Sequence, residues 1–438
     1  MGHADGKEIF RRLGTKIDNL PLRAPWNEAF YELLKSLYSE KEADVVVKMP
    51  YGMSDLNRIA QVTKYESLEL QKILEGLCSK GLVIDFWVND AYHYMPSPIM
   101  IGIFEFSMMR TGGGVDSKAL AHLFHSYLNA DHGAIYAANA KKGDKVSVIR
   151  ALPHEDAVSP SEYMEVLDYE KATSIIESSE KFSVGICSCR HEKLHIGEKE
   201  CDIPLEKCSS FNFAADYLIR NKLAKEVSKS EMLENLAQSI EMKLVLCADN
   251  IKRNVTFICH CCKDCCNALA GISKFGYPNT VITSNFLAKN NPDACLGCGK
   301  CAKACPIDAI QMIPIDHPQT KKKKDAIIDT SICLGCGVCA LSCSTGAVTL
   351  VKREKRVLHP ETTFERVILQ CLERGTLQNQ IFDNPQSITQ KFMRGFVGGF
   401  LRLPPVKAAL MSDILRSSFL KAMAGGVQKQ GKEWITEM

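Results

Sequence analysis

The sequence predicts an α+β chain that is divided into several domains, and three observations support this fold class. Apolar residues at helical spacing fill the first eighty residues and are followed by a short segment typical of a hairpin. The twenty cysteines are absent from the first 77 residues and concentrate between Cys187 and Cys343. The C-terminal part returns to helical periodicity. A chain of 438 residues has room for about three or four such domains.

The N-terminal elements are three helices and a hairpin. The apolar spacing predicts a first helix over 27–38 and a second that begins after Ser54, its N-cap. A third helix is predicted over 66–80 and ends at Gly81. A hairpin is predicted over 82–94, with Asn89-Asp90 at its turn. Three helices and a hairpin in this order resemble a winged helix, so we predict a winged-helix-like domain over 1–97.

The charges of this domain argue against nucleic-acid binding. Between Ser54 and Pro96 there are four basic and six acidic residues, and the third helix carries Glu66, Glu69 and Glu75. Affinity for DNA depends largely on neutralising phosphates, which these carboxylates would repel. We therefore expect an interaction or structural role, with a redox-sensing transcription factor as the alternative.

A mixed α/β connecting region is predicted over 98–180. Apolar spacing indicates helices over 117–128 and 170–178, and a strand over 146–151. His122 and His125 are three residues apart and could bind a metal, but no third ligand is evident, so solvent-facing or core histidines are expected.

Two runs of cysteines carry the strongest chemical signal. The spacing C-x2-C-x2-C-x3-C occurs twice, as Cys295, Cys298, Cys301 and Cys305, and as Cys333, Cys336, Cys339 and Cys343. In this spacing three thiolates bind one [4Fe-4S] cluster and the fourth Cys binds the other cluster. Cysteines 295, 298, 301 and 343 should hold one cluster, and cysteines 333, 336, 339 and 305 the other. A zinc site would instead need two C-x2-C pairs.

At these residues the chain resembles the bacterial two-cluster ferredoxin, over a module of residues 290–350. The resemblance implies a small pseudo-symmetric domain that passes single low-potential electrons between two nearby clusters. Ser344 stands where the second repeat would carry proline. The loop from Pro314 to Asp325, with four consecutive lysines, is longer than a compact ferredoxin needs.

A second Cys-rich segment is predicted over 181–289, with two helices between its cysteine groups. Its nine candidate ligands are Cys187, Cys189, Cys201, Cys208, Cys259, Cys261, Cys262, Cys265 and Cys266. The combination of C-x-C-Arg-His with CHCCKDCC resembles a group of anaerobe iron–sulfur proteins, in which a winged-helix-like front end and such a segment precede a two-cluster ferredoxin module.

The spacing leaves the number of upstream clusters open. Adjacent pairs such as Cys261-Cys262 cannot easily bind one cubane, because neighbouring side chains diverge. Three possibilities remain: one cluster whose ligands come from both cysteine groups, two clusters, or one non-cubane cluster. Arg190 and His191 are expected to lend positive charge or N–H groups to a cluster, unless Arg190 pairs with a surface acid. Cys247 has no companion in sequence, so a structural role is predicted for it.

The C-terminal region, 351–438, is predicted to be helical and amphipathic. Ile388, Phe392, Phe396 and Phe400 recur every four residues, and six basic residues accompany a single acidic one between 385 and 425. This stripe could pack on the chain's own core, dock on a partner protein or lie on an anionic membrane surface.

Charge and motifs point to a redox function. The formal charge of +3 falls close to neutral once two clusters of about −2 each are bound. Without an export segment or a long apolar run, we expect a cytoplasmic protein, with the C-terminal stripe as a membrane-peripheral alternative. No dinucleotide, phosphate or nucleophile-elbow motif is present. We expect an electron-transfer protein or redox subunit that serves partner oxidoreductases rather than a stand-alone enzyme. The alternative is a reductase subunit with a catalytic cluster between Cys187 and Cys266.

Overall fold

The computed structural model describes residues 2–112, 114–160, 166–315 and 322–437, and it is a mixed helix and sheet structure. The N-terminal helices are α1 (Gly2–Asp18), α2 (Glu28–Leu37), α3 (Glu40–Lys48), α4 (Leu56–Thr63) and α5 (Ser67–Ser79). The strands are β1 (Ser54–Asp55), β2 (Val83–Val88) and β3 (Ala91–Pro96), which form a sheet in the order β1-β3-β2.

Side-chain caps define where these helices begin. The side chain of Asn27 accepts a hydrogen bond from the backbone of Phe30 at the start of α2. Helix α3 was not predicted, although Ser39 and Glu42 form a capping box before it. Ser54 was predicted as the cap of α4, but the cap is Asp55 and Ser54 lies in β1.

The centre of the chain is a seven-stranded sheet. Its strands are β4 (Ile149–Ala151), β5 (Phe182–Ile186), β6 (Glu206–Phe211), β7 (Ala224–Glu226), β8 (Val245–Asp249), β9 (Phe257–Cys261) and β10 (Val281–Ile282). The strand order is β10-β4-β8-β9-β6-β5-β7, and all the pairs are antiparallel except β10 with β4.

Helices accompany this sheet. They are α6 (Phe104–Met109), α7 (Ser117–Asn129), α8 (Ala134–Asn139), α9 (Ala172–Glu177), α10 (Ser188–His195), α11 (Asn212–Arg220), α12 (Lys229–Glu241) and α13 (Asn267–Ser273). One sheet face, with Leu246, Ala248 and Ile258, packs on apolar residues of α9 and α12. The first of the two helices predicted in the Cys-rich segment was expected over 211–226, but it ends at Arg220 and the chain continues as β7.

The described residues of 286–352 contain two antiparallel pairs of strands and two short helices. The elements are β11 (Phe286–Asn290), α14 (Lys300–Ala304), β12 (Ile310–Pro314), β13 (Lys324–Ile328), α15 (Val338–Leu341) and β14 (Val348–Lys352). Strand β11 pairs with β14, and β12 pairs with β13, both antiparallel. Part of the predicted lysine loop, residues 316–321, lies outside the described residues.

The C-terminal helices are α16 (Thr363–Arg374), α17 (Leu377–Ile381), α18 (Ile388–Leu401), α19 (Pro404–Leu410) and α20 (Arg416–Gln428). None of the described helices combines the length and the apolarity that a membrane span requires. Helix α16 packs against the sheet region, where Arg366 pairs with Asp249 at 3.1 Å.

The aromatic stripe of α18 faces solvent. Ile388 is 85% exposed, Phe392 73%, Phe396 71% and Phe400 57%. The alternative that this stripe packs on the chain's own core is therefore wrong.

Candidate metal centre

The eight cysteines of the two runs come together as two separate groups. Cys301 interacts electrostatically with Cys295 and Cys343, and this group reaches the surface at Cys298, which is exposed. Cys305, Cys333, Cys336 and Cys339 form the other group, in which every thiol is buried. We call these two groups the outer thiols and the inner thiols.

The inner thiols surround an apolar cavity. Its lining combines these four cysteines with aliphatic residues that include Ile307, Ile310 and Leu334. Burial raises the pKa of Cys336 well above its ordinary value, because a thiolate is poorly solvated there. A bound cationic group would offset this cost, so the donor set fits an iron–sulfur cluster.

Backbone N–H groups and glycines shape both loops. The N–H of Gly297 donates to Cys295 Sγ at 3.4 Å, and that of Ala309 donates to Cys305 Sγ at 3.2 Å. Such bonds stabilise negative charge on sulfur. Gly335 has a φ of 66°, and a Cβ there would overlap the carbonyl oxygen of Phe286. A glycine is thus required where the ligand loop meets β11.

The upstream cysteines are brought together by one face of the seven-stranded sheet. Side chains two residues apart on a strand share a face, so Cys259 and Cys261 of β9 point the same way. Cys247 of β8 pairs directly with Cys259, and Cys208 of β6 interacts with Cys259 from the other side. Three neighbouring strands therefore contribute cysteines to a single face.

Two loops that precede short helices add three more thiols to this face. Cys187 and Cys189 lie at the start of α10, and Cys266 lies just before α13. Cys189 is in hydrogen-bond contact with both Cys187 and Cys266, and Cys266 with Cys261. We call the seven the pocket thiols: Cys187, Cys189, Cys208, Cys247, Cys259, Cys261 and Cys266.

The pocket thiols crowd a space that could hold a cluster. Six of them line a cavity of about 90 Å³, room for more than a single water. The hydrogen bond with Cys189 and then burial raise the pKa of Cys187, and Cys208 has the same effect on Cys259. Because several buried thiolates cannot coexist without a cation, this donor set also fits a metal group.

Cys247 was not recognised from the sequence as part of this site. It is fully buried and in hydrogen-bond contact with Cys261. No cysteine spacing reveals it, because it joins the others only through the pairing of β8 with β9. The only local feature of the sequence at this position is a single Cys within an apolar run that ends at Asp249.

The remaining three upstream cysteines form a second group, which we call the Cys201 triad. Cys201 Sγ lies 3.7 Å from Cys262 Sγ and 3.7 Å from Cys265 Sγ. Among the described residues, this is the one group of three or more ligand-type side chains with all ligand atoms within 4.8 Å of one another. Each adjacent pair of the CHCCKDCC run thus has one member among the pocket thiols and one in the triad, although Cys262 and Cys265 also border the cavity of the pocket thiols.

Arg190 lies between the pocket thiols and the triad. It is fully buried, and its Nη2 donates to the carbonyl oxygen of His260. Burial alone would lower its pKa, but attraction to Cys187 and then to Cys262 raises the pKa above its ordinary value. Arg190 therefore lends positive charge to the thiols, and the alternative of pairing with a surface acid is wrong.

His191 does not face the thiols. Its Nδ1 lies 2.6 Å from the carbonyl oxygen of Met108, and its Nε2 lies 2.9 Å from His195. The expectation that His191 supports a cluster directly is therefore wrong. Glu105, which the sequence did not single out, lines the pocket instead, and burial raises its pKa to about 7.

The inner thiols adjoin the pocket. The N–H of His154 donates to the carbonyl oxygen of Cys336 at 3.0 Å, while its Nε2 donates to Leu244, next to β8, at 2.8 Å. Cys247 interacts electrostatically with Cys336. One histidine thus connects an inner-thiol loop to the strand that carries a pocket thiol.

Comparison with known proteins supports the assignment of the module. Residues 294–347 match the family model of the 4Fe-4S dicluster domain. No match was found among curated proteins or among solved structures. The match and the two cysteine runs support an iron–sulfur electron-transfer role for this chain, with two [4Fe-4S] clusters in the matched region.

Proposed function

We propose that the chain relays single electrons along three centres in series: the outer thiols, the inner thiols and the pocket thiols. The observation that carries this proposal is the hydrogen bond of Cys336 with His154, together with the electrostatic interaction between Cys336 and Cys247, which places the inner thiols near the pocket. The clusters, when bound, supply one-electron redox chemistry. The protein buries the clusters, sets the distances between them and determines their order.

Exposure favours the outer thiols as the place where electrons enter or leave. Cys298 is exposed, whereas all the inner thiols are buried. Leu296, between two outer thiols, is 69% exposed, and Ile313 and Ile327 are exposed on the hairpin of β12 and β13. Apolar groups beside an exposed ligand suit transient docking of a redox partner protein.

An iron count tests the number of centres. Protein purified without air should contain about twelve irons and as many acid-labile sulfides per chain. The double variant Cys189→Ser/Cys266→Ser should keep about eight, because the module's ligands are untouched. Cys371→Ser, at a buried cysteine outside all three groups, is the control and should keep about twelve. About eight irons in the unaltered protein would remove the pocket centre from the proposal.

A second candidate function is a reductase in which the pocket is catalytic. The observation that favours it is Glu105, a carboxyl group with a pKa of about 7 that lines the same cavity as the pocket thiols. Such a group can exchange protons near neutral pH. This role predicts that the anaerobic spectra of the unaltered protein change when a small thiol or disulfide is added. The spectra of Glu105→Gln should not change. Unchanged spectra in the unaltered protein would exclude it.

We propose that the three predicted helices, α2, α4 and α5, form with the unpredicted α3 and the sheet of β1, β2 and β3 a winged-helix-like domain with a structural role. The Tyr217 hydroxyl of α11 lies 3.1 Å from the carbonyl oxygen of Val83, and Arg220 pairs with Asp85 at 2.7 Å. These contacts attach β2 to the central region. Titration of duplex DNA at low salt should show no binding, and a salt-sensitive complex would contradict this role.

We propose that the exposed stripe of α18 lies on an anionic membrane surface. Three phenylalanines and Ile388 face solvent on one side of the helix, and Ile414, beyond α19, is 86% exposed. Lys391 of α18 and Lys421 of α20 are exposed, so positive charge is available for anionic lipid. The other basic side chains of 385–425 are engaged within the chain, where Arg394, Arg402 and Lys407 donate to backbone carbonyls and Arg416 pairs with Asp413. The charge favours lipid over an apolar groove of a partner.

Vesicle flotation tests this surface. The chain should float with phosphatidylglycerol vesicles and much less with phosphatidylcholine vesicles, and Phe392→Glu/Phe396→Glu should abolish flotation. Leu68→Glu changes an equally exposed apolar residue on α5 and should float normally. No flotation, or dimerisation that the double variant abolishes, would contradict a lipid surface.

A further inference from the structure

The separation of the sulfur atoms in the Cys201 triad is specific for one kind of metal site. Zinc binds thiolate sulfur at about 2.3 Å in a tetrahedron, which places neighbouring sulfurs about 3.8 Å apart. Cys201 Sγ lies 3.7 Å from each of Cys262 Sγ and Cys265 Sγ. Two of the three sulfur–sulfur separations therefore match the edge of a zinc tetrahedron, and all three sulfurs lie within 4.8 Å of one another.

A cubane cluster would need wider spacing. Each thiolate of a cubane binds a different iron atom, so its sulfurs stand further apart than the ligands of one ion. None of the eight module cysteines belongs to a described group of three ligand atoms within 4.8 Å, whereas the Cys201 triad does. No three of the pocket thiols form such a group either, although several of them are in contact as pairs.

We infer that the Cys201 triad is a mononuclear zinc site that is distinct from the iron–sulfur centres. Cys262 and Cys265 form a C-x2-C pair, the spacing with which a tight turn presents two thiolates to one zinc ion. Cys201 reaches them from the loop between α10 and β6. Leu244 and Ile203 pack against the sulfurs and limit access of water.

Arg190 completes the charge balance of this site. Three thiolates and Zn²⁺ carry a net charge of −1, which is costly to bury alone. Arg190 is fully buried, and its Nε and Nη1 form no hydrogen bond within the described part of the chain. A negatively charged zinc–thiolate group that includes Cys262 would lie beside this guanidinium and balance its charge.

The fourth position of the tetrahedron belongs to a water molecule or a small external ligand. Within the described residues, no fourth Cys, His, Asp or Glu atom joins the group. Three protein ligands with one open position are typical of zinc that takes part in chemistry rather than zinc that only stabilises a fold. The class of ligand this position would take is water or a thiolate.

Metal analysis of the full chain tests the inference. Protein made anaerobically with zinc in the medium should contain about one zinc ion per chain. Cys201→Ser and Cys265→Ser should lose the zinc and keep the iron, whereas Cys371→Ser should keep both. Cys201→His retains a ligand atom and should retain zinc, which separates loss of a ligand from misfolding.

Cobalt provides a second readout on the unaltered chain. Chelator-treated protein should bind one Co²⁺ with the absorption bands of tetrahedral thiolate coordination, and Cys201→Ser should not. Any one of three results would overturn the inference. These are zinc that persists in both serine variants, a loss of about four irons in Cys201→Ser, and a Cys262–Cys265 disulfide in the anaerobic protein. The iron count of the pocket is independent of these outcomes, so either proposal can fail alone.

Discussion

The backbone N–H of His154 donates a 3.0 Å hydrogen bond to the carbonyl oxygen of Cys336. This bond lies between β4 and the second ligand loop, and the histidine ring is bonded at the same time to Leu244. The backbone N–H and the ring Nε2 of His154 therefore both help to hold the inner thiols against the sheet. The order of the three thiol groups follows from this contact, because the pocket thiols line the same region of the sheet.

Gly335 and Gly346 offer a matched pair of substitutions. Their φ angles are 66° and 65°, so alanine costs a similar backbone strain of about 1 kcal/mol at both. A Cβ at Gly335 overlaps the carbonyl oxygen of Phe286, whereas one at Gly346 meets nothing within 4 Å. Gly335→Ala should lose about four irons and Gly346→Ala none, by iron analysis after gel filtration. Equal iron contents would show that this close approach is unimportant.

Arg190→Met should raise the pKa of Cys262. A hydrogen bond from Cys265 and, against the effect of burial, attraction to Arg190 lower that pKa to about 5. Without the guanidinium, the thiolate should persist only at higher pH. Pulsed alkylation of chelator-treated protein, read at Cys262 by mass spectrometry, should show a shift of about one pH unit or more. Arg253→Met, at an exposed arginine, should leave the profile unchanged.

His260 should make stability depend on pH below neutrality. Burial lowers its pKa to about 3, so the folded state keeps it neutral while the unfolded state takes up a proton near the ordinary value of 6.5. The unfolded chain thus binds more protons as the pH falls, and stability is lost from about pH 6.5 downwards.

Between pH 7 and pH 5.5 this effect should cost about 1 kcal/mol, measured by urea unfolding of the metal-free chain. His260→Gln should remove that part of the slope, since glutamine does not titrate. His122→Gln, at an exposed histidine on α7, should keep it. An identical slope in all three proteins would rule out His260 as its source.

Local sequence signals predicted the elements whose determinants are also local. The helix predicted over 27–38 is α2, which Asn27 caps, and a capping box of Ser228 and Glu231 begins α12, one of the two helices predicted between the cysteine groups. The spacing of the two cysteine runs identified the module that the family model also matches. In each of these cases the interacting residues lie within a few positions of one another.

The signals that failed depend on contacts between distant residues. Cys247 reaches the pocket through strand register with Cys259, which no pattern within β8 reveals. The division of Cys261 from Cys262 depends on where β9 ends, and Arg190 is placed by packing against the carbonyl of His260. Phe396 belongs to a stripe with the spacing of a buried helix face. Whether another helix covers that face depends on the tertiary packing, which the sequence pattern does not reveal.

A stepwise redox titration of the anaerobic protein, followed by EPR, tests the series of three centres most directly. We expect three one-electron steps, with the signal of the pocket centre broadened by its paramagnetic neighbour at the inner thiols. That signal should be absent from Cys189→Ser/Cys266→Ser, which should retain the two module signals. Two steps in the unaltered protein, with spectra identical to those of the variant, would contradict the account.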